Sequence, residues 1–171
     1  MNDSAQSQRL GNAARAAASA LSQTSAEQRD AAIESMANRL VADEEEILAA
    51  NARDVASAEQ RDVSPAMVDR LTLDRERLAS IAAALRAIAS MPDPLGRVIA
   101  ETTRPNGLQI SKVSVPLGVI GIIYESRPNV TADAAAICLK AGNAVLLRGG
   151  TDSAHSSNAI ESAVRTALDE V

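Results

Sequence analysis

The spacing of apolar residues first changes near Gly96, and this change limits the folds that the chain can adopt. Up to residue 95, apolar residues recur at steps of three and four, the period of an amphipathic α-helix. Beyond Gly96, short runs rich in β-branched residues alternate with turn residues, which is typical of strands. The sequence therefore predicts an α/β fold with a helical amino-terminal region.

Local signals locate several helices in the first region. Ser25 and Gln28 form a capping-box pattern, and Ser64-Pro65 reads as a cap followed by the proline that the first helical turn favours. The clearest apolar stripe ends at a proline-rich segment and consists of Leu78, Ile81, Leu85 and Ile88. We expect this stripe to face the core of the helical region.

The segment after Gly96 predicts a β-hairpin. Residues 98–103 and 108–115 are rich in β-branched residues, and Arg104-Pro105-Asn106-Gly107 between them is a turn signal. A two-stranded hairpin buries little surface of its own. We therefore expect the segment 96–116 to contact another subunit.

The last part of the chain predicts a βαβα unit. Residues 118–124 and 144–147 are continuously apolar, which favours strands that are covered on both faces. A helix over 131–140, closed by Gly142, separates them, and a second helix fits 156–169. Two parallel strands alone leave unpaired edges. We therefore interpret the chain as the truncated start of a larger Rossmann-like sheet.

Composition and charge exclude several classes of function. Tyr124 is the only aromatic residue, so stacking on nucleic-acid bases is not available. The net charge is −5 and the basic residues are scattered, which argues against nucleic acid and anionic membranes as partners. One Cys and one His give neither a disulfide framework nor a self-sufficient metal site, and they fit a reducing, cytoplasmic environment.

The candidate functional residues follow the two predicted strands. Ligands of open α/β sheets bind at the carboxyl ends of the strands, where free N–H groups of the next helix can hold a phosphate group and glycines permit close approach. The first strand is followed by Glu125, Ser126, Arg127, Pro128 and Asn129, and the second strand by Arg148, Gly149, Gly150 and Thr151.

The same segment resembles a known family. Its motifs YESRPNVT and CLKAGNAVLLRGG, with the later pair Ser157-Asn158, are similar to those of the γ-glutamyl phosphate reductases, or glutamate-5-semialdehyde dehydrogenases. These belong to the aldehyde dehydrogenase superfamily. The helical region resembles the family through ILAANARDV, DRLTLDRERL and MPDPLG, so the resemblance covers essentially the whole chain.

The resemblance implies reduction of an acyl phosphate by NADP(H), with γ-glutamyl 5-phosphate as substrate and a cysteine nucleophile in a catalytic domain absent from this chain. It implies that residues 1–95 are the helical part of the cofactor domain, 96–116 an oligomerisation hairpin, and 117–171 the start of the NADP-binding sheet. It also implies a cytoplasmic homo-oligomer of proline biosynthesis and association with glutamate 5-kinase. On this interpretation the isolated chain is inactive.

Roles for individual residues also follow from the resemblance. Asn129 corresponds to an oxyanion donor, although an N-cap role is the alternative, and Arg127-Pro128 stands where most of the superfamily has an aromatic residue before the Asn. Glu125, Ser126 and Arg127 are expected to bind substrate, unless Arg127 is simply solvated or salt-bridged.

The expected cofactor contacts lie after the second strand. Arg148 suits the 2′-phosphate of NADP, with a tether to a helix end as its alternative. The other expected cofactor contacts are Gly149, Gly150, Thr151, Ser157 and Asn158. Cys138, the single thiol, lies among apolar residues of a predicted helix and is expected to be a buried core residue.

Two alternatives remain open from the sequence. The chain could be a non-catalytic cofactor-binding or assembly fragment, which depends on whether coding sequence continues past Val171. The enzyme could also reduce a different acyl phosphate.

Overall fold

The structure is a computed structural model that describes residues 3–171. The helices are α1 (Asp3–Leu21), α2 (Ala26–Ala42), α3 (Glu44–Gln60), α4 (Pro65–Leu71), α5 (Arg75–Ala89), α6 (Asn129–Lys140) and α7 (Ala154–Asp169). The strands are β1 (Val98–Thr103), β2 (Gln109–Val113), β3 (Val119–Ile123) and β4 (Ala144–Arg148). A 3₁₀ turn, Thr151–Ser153, precedes α7.

The core lies where α2 packs against α5 and α7, with α6 beside α5. The predicted stripe on α5 is buried there, which confirms the expectation from its spacing. The largest side chains of this core are fully buried and aliphatic: Ile33, Met36, Leu40, Ile47, Leu78, Leu85 and Ile160. Each such side chain contributes roughly 1.5–3 kcal/mol on burial, so the helical layer does not need aromatic rings.

The capping predictions are confirmed at one helix and only partly at another. At α2 the Ser25 hydroxyl accepts the Gln28 N–H at 3.2 Å, and the Gln28 side chain accepts the Ser25 N–H at 2.8 Å. At α4 the first-turn Pro65 is present, but the Ser64 side chain makes no capping hydrogen bond.

The predicted hairpin is present. Strands β1 and β2 pair antiparallel, with Glu101 opposite Ser111. Gly107 has φ +83 in the turn, a conformation that glycine adopts without strain. Every residue of both strands is exposed, as expected for a hairpin that has little core of its own.

The βαβα unit is also present, but its strands are less covered than the sequence predicts. Strands β3 and β4 pair in parallel, with α6 between them in the sequence. Burial alternates along β3 and leaves Ile123 87% exposed. The expectation that both faces are covered is therefore wrong, because the alanine-rich helices α1 and α6 shield only alternate residues of this small sheet.

The turn from α6 into β4 shows why glycine follows this helix. Gly142 has φ +67, and a Cβ at this position would lie 2.9 Å from Leu95 Cδ1. The next residue, Asn143, accepts the Gly118 N–H through its side-chain oxygen at 2.8 Å. This turn therefore joins the start of β4 to the start of β3. None of the helices within residues 3–171 is both long and apolar enough to cross a membrane.

Candidate functional site

The carboxyl ends of β3 and β4 lie side by side. Ile123 is opposite Arg148 in the parallel register, and the Tyr124 N–H donates to the Arg148 carbonyl oxygen at 3.0 Å. The loops that leave these strands therefore begin next to each other. The two groups of residues predicted from the sequence come from these loops.

The two glycines after β4 permit close contact between the loops. A Cβ on Gly150 would lie 2.2 Å from Ser126 Oγ and 3.0 Å from the Ser126 backbone nitrogen. A Cβ on Gly149 would lie 2.9 Å from the Tyr124 hydroxyl, which shares a 2.7 Å hydrogen bond with Thr131. The sequence predicts glycines for the approach of a ligand, whereas in this structure they admit side chains of the neighbouring loop.

A cleft of about 370 Å³ opens beside these loops. Its lining includes four residues that the sequence predicts: Glu125, Ser126, Arg127 and Gly150. The opposite wall comes from α3, α4 and the segment between them, through Ala58, Val63, Met67, Arg70 and Leu71, and Asp152 completes the lining. A second cavity of about 600 Å³ is lined by residues between Glu59 and Thr72 and contains none of the predicted residues.

Asp152 joins the two walls of the 370 Å³ cleft. Arg61, which follows α3, donates to Asp152 Oδ1 at 2.7 Å, and Ser126 Oγ lies 3.4 Å from Asp152 Oδ2. The first contact is a charge-assisted hydrogen bond, and the second is at the long limit for a hydrogen bond. Arg61 therefore balances the charge of Asp152.

Arg127 and Arg148 lie at the carboxyl edge with exposed side chains. Among residues 3–171, neither guanidinium takes part in an ion pair, so a salt-bridged Arg127 and a tethering Arg148 are not met here. The exposed Arg127 matches its other alternative, a solvated arginine, and its role in substrate binding stays a prediction. Of the two, only Arg127 lines the cleft.

Asn129 is the first residue of α6, and Pro128 occupies the N-cap position. The alternative that Asn129 is the N-cap is therefore wrong. Its side-chain amide donates to Asp133 Oδ2 at 3.0 Å, and the other oxygen of Asp133 is buried without a hydrogen bond in the described part of the chain. Burial raises the pKa of Asp133, and the hydrogen bond from Asn129 partly opposes this shift.

The start of α7 is already occupied by a protein anion. Asp54 on α3 is buried and accepts the His155 N–H at 3.1 Å and the Ser156 N–H at 2.7 Å. The Ser156 hydroxyl donates to the same carboxylate at 2.5 Å. The expectation of free N–H groups for phosphate is therefore wrong for these two residues, because Asp54 satisfies them.

The remaining predicted cofactor residues lie outside the 370 Å³ cleft. Thr151 begins the 3₁₀ turn and is exposed, as is Asn158 in the first turns of α7. Ser157 is half-buried, and its hydroxyl lies 3.2 Å from that of Ser153. The predicted substrate residues thus share the cleft with Gly150, while Arg148, Gly149 and these three residues lie elsewhere.

Cys138 is 3% exposed, and burial raises the pKa of its thiol. The burial confirms the prediction of a buried core residue. A protonated, shielded thiol is also a poor nucleophile.

Sequence reasoning missed three charged residues that shape the site: Asp54, Arg61 and Arg70. Each lies far along the chain from the strand ends. Asp54 and Arg70 fall within ILAANARDV and DRLTLDRERL, but those motifs indicated the family and gave no role to either residue, and Arg61 lies in neither motif. The only local sign is the short segment 61–64 between α3, which carries Asp54, and α4, which carries Arg70. Which strand end these residues face depends on how the helices pack.

Comparison with known proteins gives consistent findings over this length. A model described as "Aldehyde dehydrogenase family" matches residues 1–169. A protein of Brucella suis biovar 1 named "Gamma-glutamyl phosphate reductase" is 55% identical over 160 residues, which cover 94% of this chain and 38% of the relative. A Xanthomonas oryzae protein of the same name is 56% identical over 156 residues, covering 91% of this chain and 38% of the relative.

Two solved structures are similar to this chain over nearly its whole length. The crystal structure of gamma-glutamyl phosphate reductase from Thermotoga maritima matches with a TM-score of 0.90 and 43% identity, over 92% of this chain and 38% of that chain. The corresponding structure from Saccharomyces cerevisiae matches with a TM-score of 0.92 and 29% identity, over 99% of this chain and 42% of that chain. The chain therefore spans well under half the length of the relatives that it matches.

Proposed function

The chain belongs to the aldehyde dehydrogenase family, and on that basis we propose that it is the cofactor-binding part of an NADPH-dependent γ-glutamyl phosphate reductase. The reaction converts γ-glutamyl 5-phosphate, NADPH and a proton to glutamate 5-semialdehyde, phosphate and NADP⁺. The observation that carries the proposal is the juxtaposition of the β3 and β4 carboxyl ends, where the exposed guanidinium groups of Arg127 and Arg148 make no ion pair within residues 3–171.

In this proposal Arg148 is the residue that selects NADPH over NADH. A guanidinium at the end of the second strand suits the 2′-phosphate that distinguishes NADPH from NADH. Gly149, Gly150 and Thr151 would then contact the bound cofactor, and Ser157 and Asn158 would add further contacts to it. When bound, NADPH supplies the hydride.

The substrate lies against the other loop. Arg127 meets the acyl phosphate through charge-assisted hydrogen bonds, and Glu125 and Ser126 contact the rest of the molecule. Asn129 donates to the oxyanion. Its side-chain amide has two N–H groups and gives one to Asp133, so the second is available for this role.

The covalent step requires a thiolate from outside this chain. The chain contains one cysteine, and Cys138 is buried with a raised pKa. This observation also favours the second candidate function, in which the 171-residue chain binds cofactor or assembles with other subunits without catalysing the reaction.

The hairpin is the subunit contact in this proposal. Its exposed apolar residues include Val98 and Ile99, at 55% and 61% exposure. Exposed apolar side chains on a two-stranded element are stabilised when another subunit covers them. The division into residues 1–95, 96–116 and 117–171, the cytoplasmic location and the association with glutamate 5-kinase remain predictions.

The experiment is an assay of the complete gene product in the oxidative direction, with glutamate 5-semialdehyde, NADP⁺ and inorganic phosphate. We expect NADPH to form only when phosphate is present, and much more slowly when NAD⁺ replaces NADP⁺. NADPH formation without phosphate would contradict the proposal, because it would indicate oxidation to the free acid. Lack of turnover, together with NADPH binding, would leave the non-catalytic candidate.

A further inference from the structure

The cleft beside the strand ends has a second cationic wall. Arg70 lies in the last turn of α4 and lines the same cleft as Arg127, which follows β3. Its side chain is exposed and makes no hydrogen bond or ion pair with any residue in the range 3–171. Two guanidinium groups from different elements thus line one concave site.

The charges that line this cleft do not cancel. Asp152 is balanced by Arg61 at 2.7 Å, so the remaining charges are those of Arg70, Arg127 and Glu125. Two positive charges and one negative charge leave an excess of one positive charge. The cleft is therefore suited to a small ligand that carries two anionic groups and one cationic group.

The rest of the lining is aliphatic. Ala58 and Leu71 are buried at the base, and Val63 and Met67 line the same wall as Arg70. A volume of about 370 Å³ lies at the small end of the range for ligand pockets. These side chains suit a short methylene chain rather than a whole dinucleotide.

We propose that Arg70 is a specificity-determining residue that binds the α-carboxylate of an amino-acid substrate. Glu125 then faces the α-ammonium group, the methylenes pack against Val63 and Met67, and Arg127 meets the acyl phosphate at the other end. This inference rests on the proposed function and extends it, because it assigns the recognition of the amino-acid end to the cleft wall that α4 contributes.

The test is an NMR titration of the 171-residue chain with three probes that differ in one group each. L-Glutamate carries all the charged groups of the amino-acid end, glutarate lacks the ammonium group, and 4-aminobutyrate lacks the α-carboxylate. The variants are Arg70→Ala and Glu125→Gln. Arg53→Ala serves as the matched control, since Arg53 is exposed on α3 and does not line the cleft.

We expect Arg70→Ala to weaken L-glutamate binding by at least about tenfold, the loss expected for a charge-assisted hydrogen bond, and to leave 4-aminobutyrate binding unchanged. Glu125→Gln should weaken the binding of L-glutamate but not that of glutarate. Arg53→Ala should change neither affinity. A conservative Arg70→Lys variant recovers part of the affinity because it keeps the charge but not the planar fork.

Three results would overturn the inference: no binding of L-glutamate by the unmodified chain, equal affinity in Arg70→Ala, or an equal loss in Arg53→Ala. NADPH is titrated into the same samples. If the unmodified chain binds NADPH but not L-glutamate, the role of Arg70 is refuted and the proposed function is unaffected. If the unmodified chain does not bind NADPH, the result counts against the proposed function.

Discussion

Asp54 and Ser156 are 102 positions apart in the sequence, yet the Asp54 carboxylate accepts both the backbone N–H and the hydroxyl of Ser156. The carboxylate also accepts the His155 N–H. A buried acid on α3 therefore caps α7, the helix that follows the candidate cofactor loop. Asn51, one turn earlier on α3, donates to Ser156 Oγ at 3.0 Å and strengthens the connection.

Asp54→Ala is predicted to lower the free energy of unfolding by about 1–3 kcal/mol, since it leaves buried donors without an acceptor. Asp54→Asn should cost less, because its side-chain oxygen can still accept one hydrogen bond. Urea denaturation measures both changes. Glu59→Ala is the control, since Glu59 is an exposed acid on the same helix and its replacement should change stability by at most about 0.5 kcal/mol. Equal stability of Asp54→Ala and the unmodified chain would contradict this role.

Gly150→Ala is predicted to separate the two strand-end loops. The new Cβ would lie 2.2 Å from Ser126 Oγ, so we expect a cost of about 1–3 kcal/mol and weaker ligand binding at the edge. Adding Ser126→Ala removes that oxygen and should restore part of the stability. The control is Gly11→Ala in helix α1, where a Cβ meets nothing within 4 Å. That change should stabilise the chain by about 0.5–1 kcal/mol. Equal effects of the two glycine substitutions would refute the steric account.

Cys138 is predicted to react slowly with thiol reagents in the folded chain. Burial raises the pKa of the thiol and shields it, so little thiolate is exposed at neutral pH. The rate of reaction with a disulfide reagent should rise strongly when urea unfolds the chain. Without urea, variants with a higher free energy of unfolding should react more slowly than the unmodified chain. Rapid labelling of the native chain would show that the thiol is accessible and would reopen the question of its role.

Asp133 is predicted to make stability depend on pH in the sense opposite to a salt-bridged acid. Burial raises the pKa of Asp133 above its ordinary value of 3.8, so the folded state binds this proton more tightly than the unfolded state. Its contribution is most favourable below 3.8 and declines as pH rises through the folded-state pKa. Asp133→Asn should therefore be more stable than the unmodified chain at neutral pH and similar to it in acid. Urea denaturation across pH measures the difference, and a gap that widens toward acid would contradict the prediction.

The features that the sequence predicts correctly are those fixed by near neighbours. The α5 stripe repeats within a few residues, and the Ser25 capping box spans one turn, so both could be read locally. The hairpin also follows from its turn, in which Gly107 adopts a positive φ. The order of strands and helices after Gly96 follows in the same way.

The features that the sequence could not predict depend on packing between distant segments. The Arg61 to Asp152 contact spans 91 positions and has no local pattern. Arg70 looks like an ordinary surface arginine until α4 is placed against the strand-end loop. The exposure of Ile123 likewise depends on which helices reach the sheet, and not on the apolar run itself. The strand-end residues of the candidate site can therefore be predicted from the sequence. The opposite wall, which comes from α3, α4 and the segment between them, cannot.

The central claim is that the β3 and β4 carboxyl ends form a cofactor site in which Arg148 recognises a phosphate group. The direct measurement is a calorimetric titration of the 171-residue chain and of Arg148→Ala with NADPH and with NADH. We predict saturable binding that prefers NADPH, and a loss of at least about tenfold in NADPH affinity in the variant, with little change for NADH. Equal affinity for the two cofactors, or unchanged NADPH binding in Arg148→Ala, would contradict the claim.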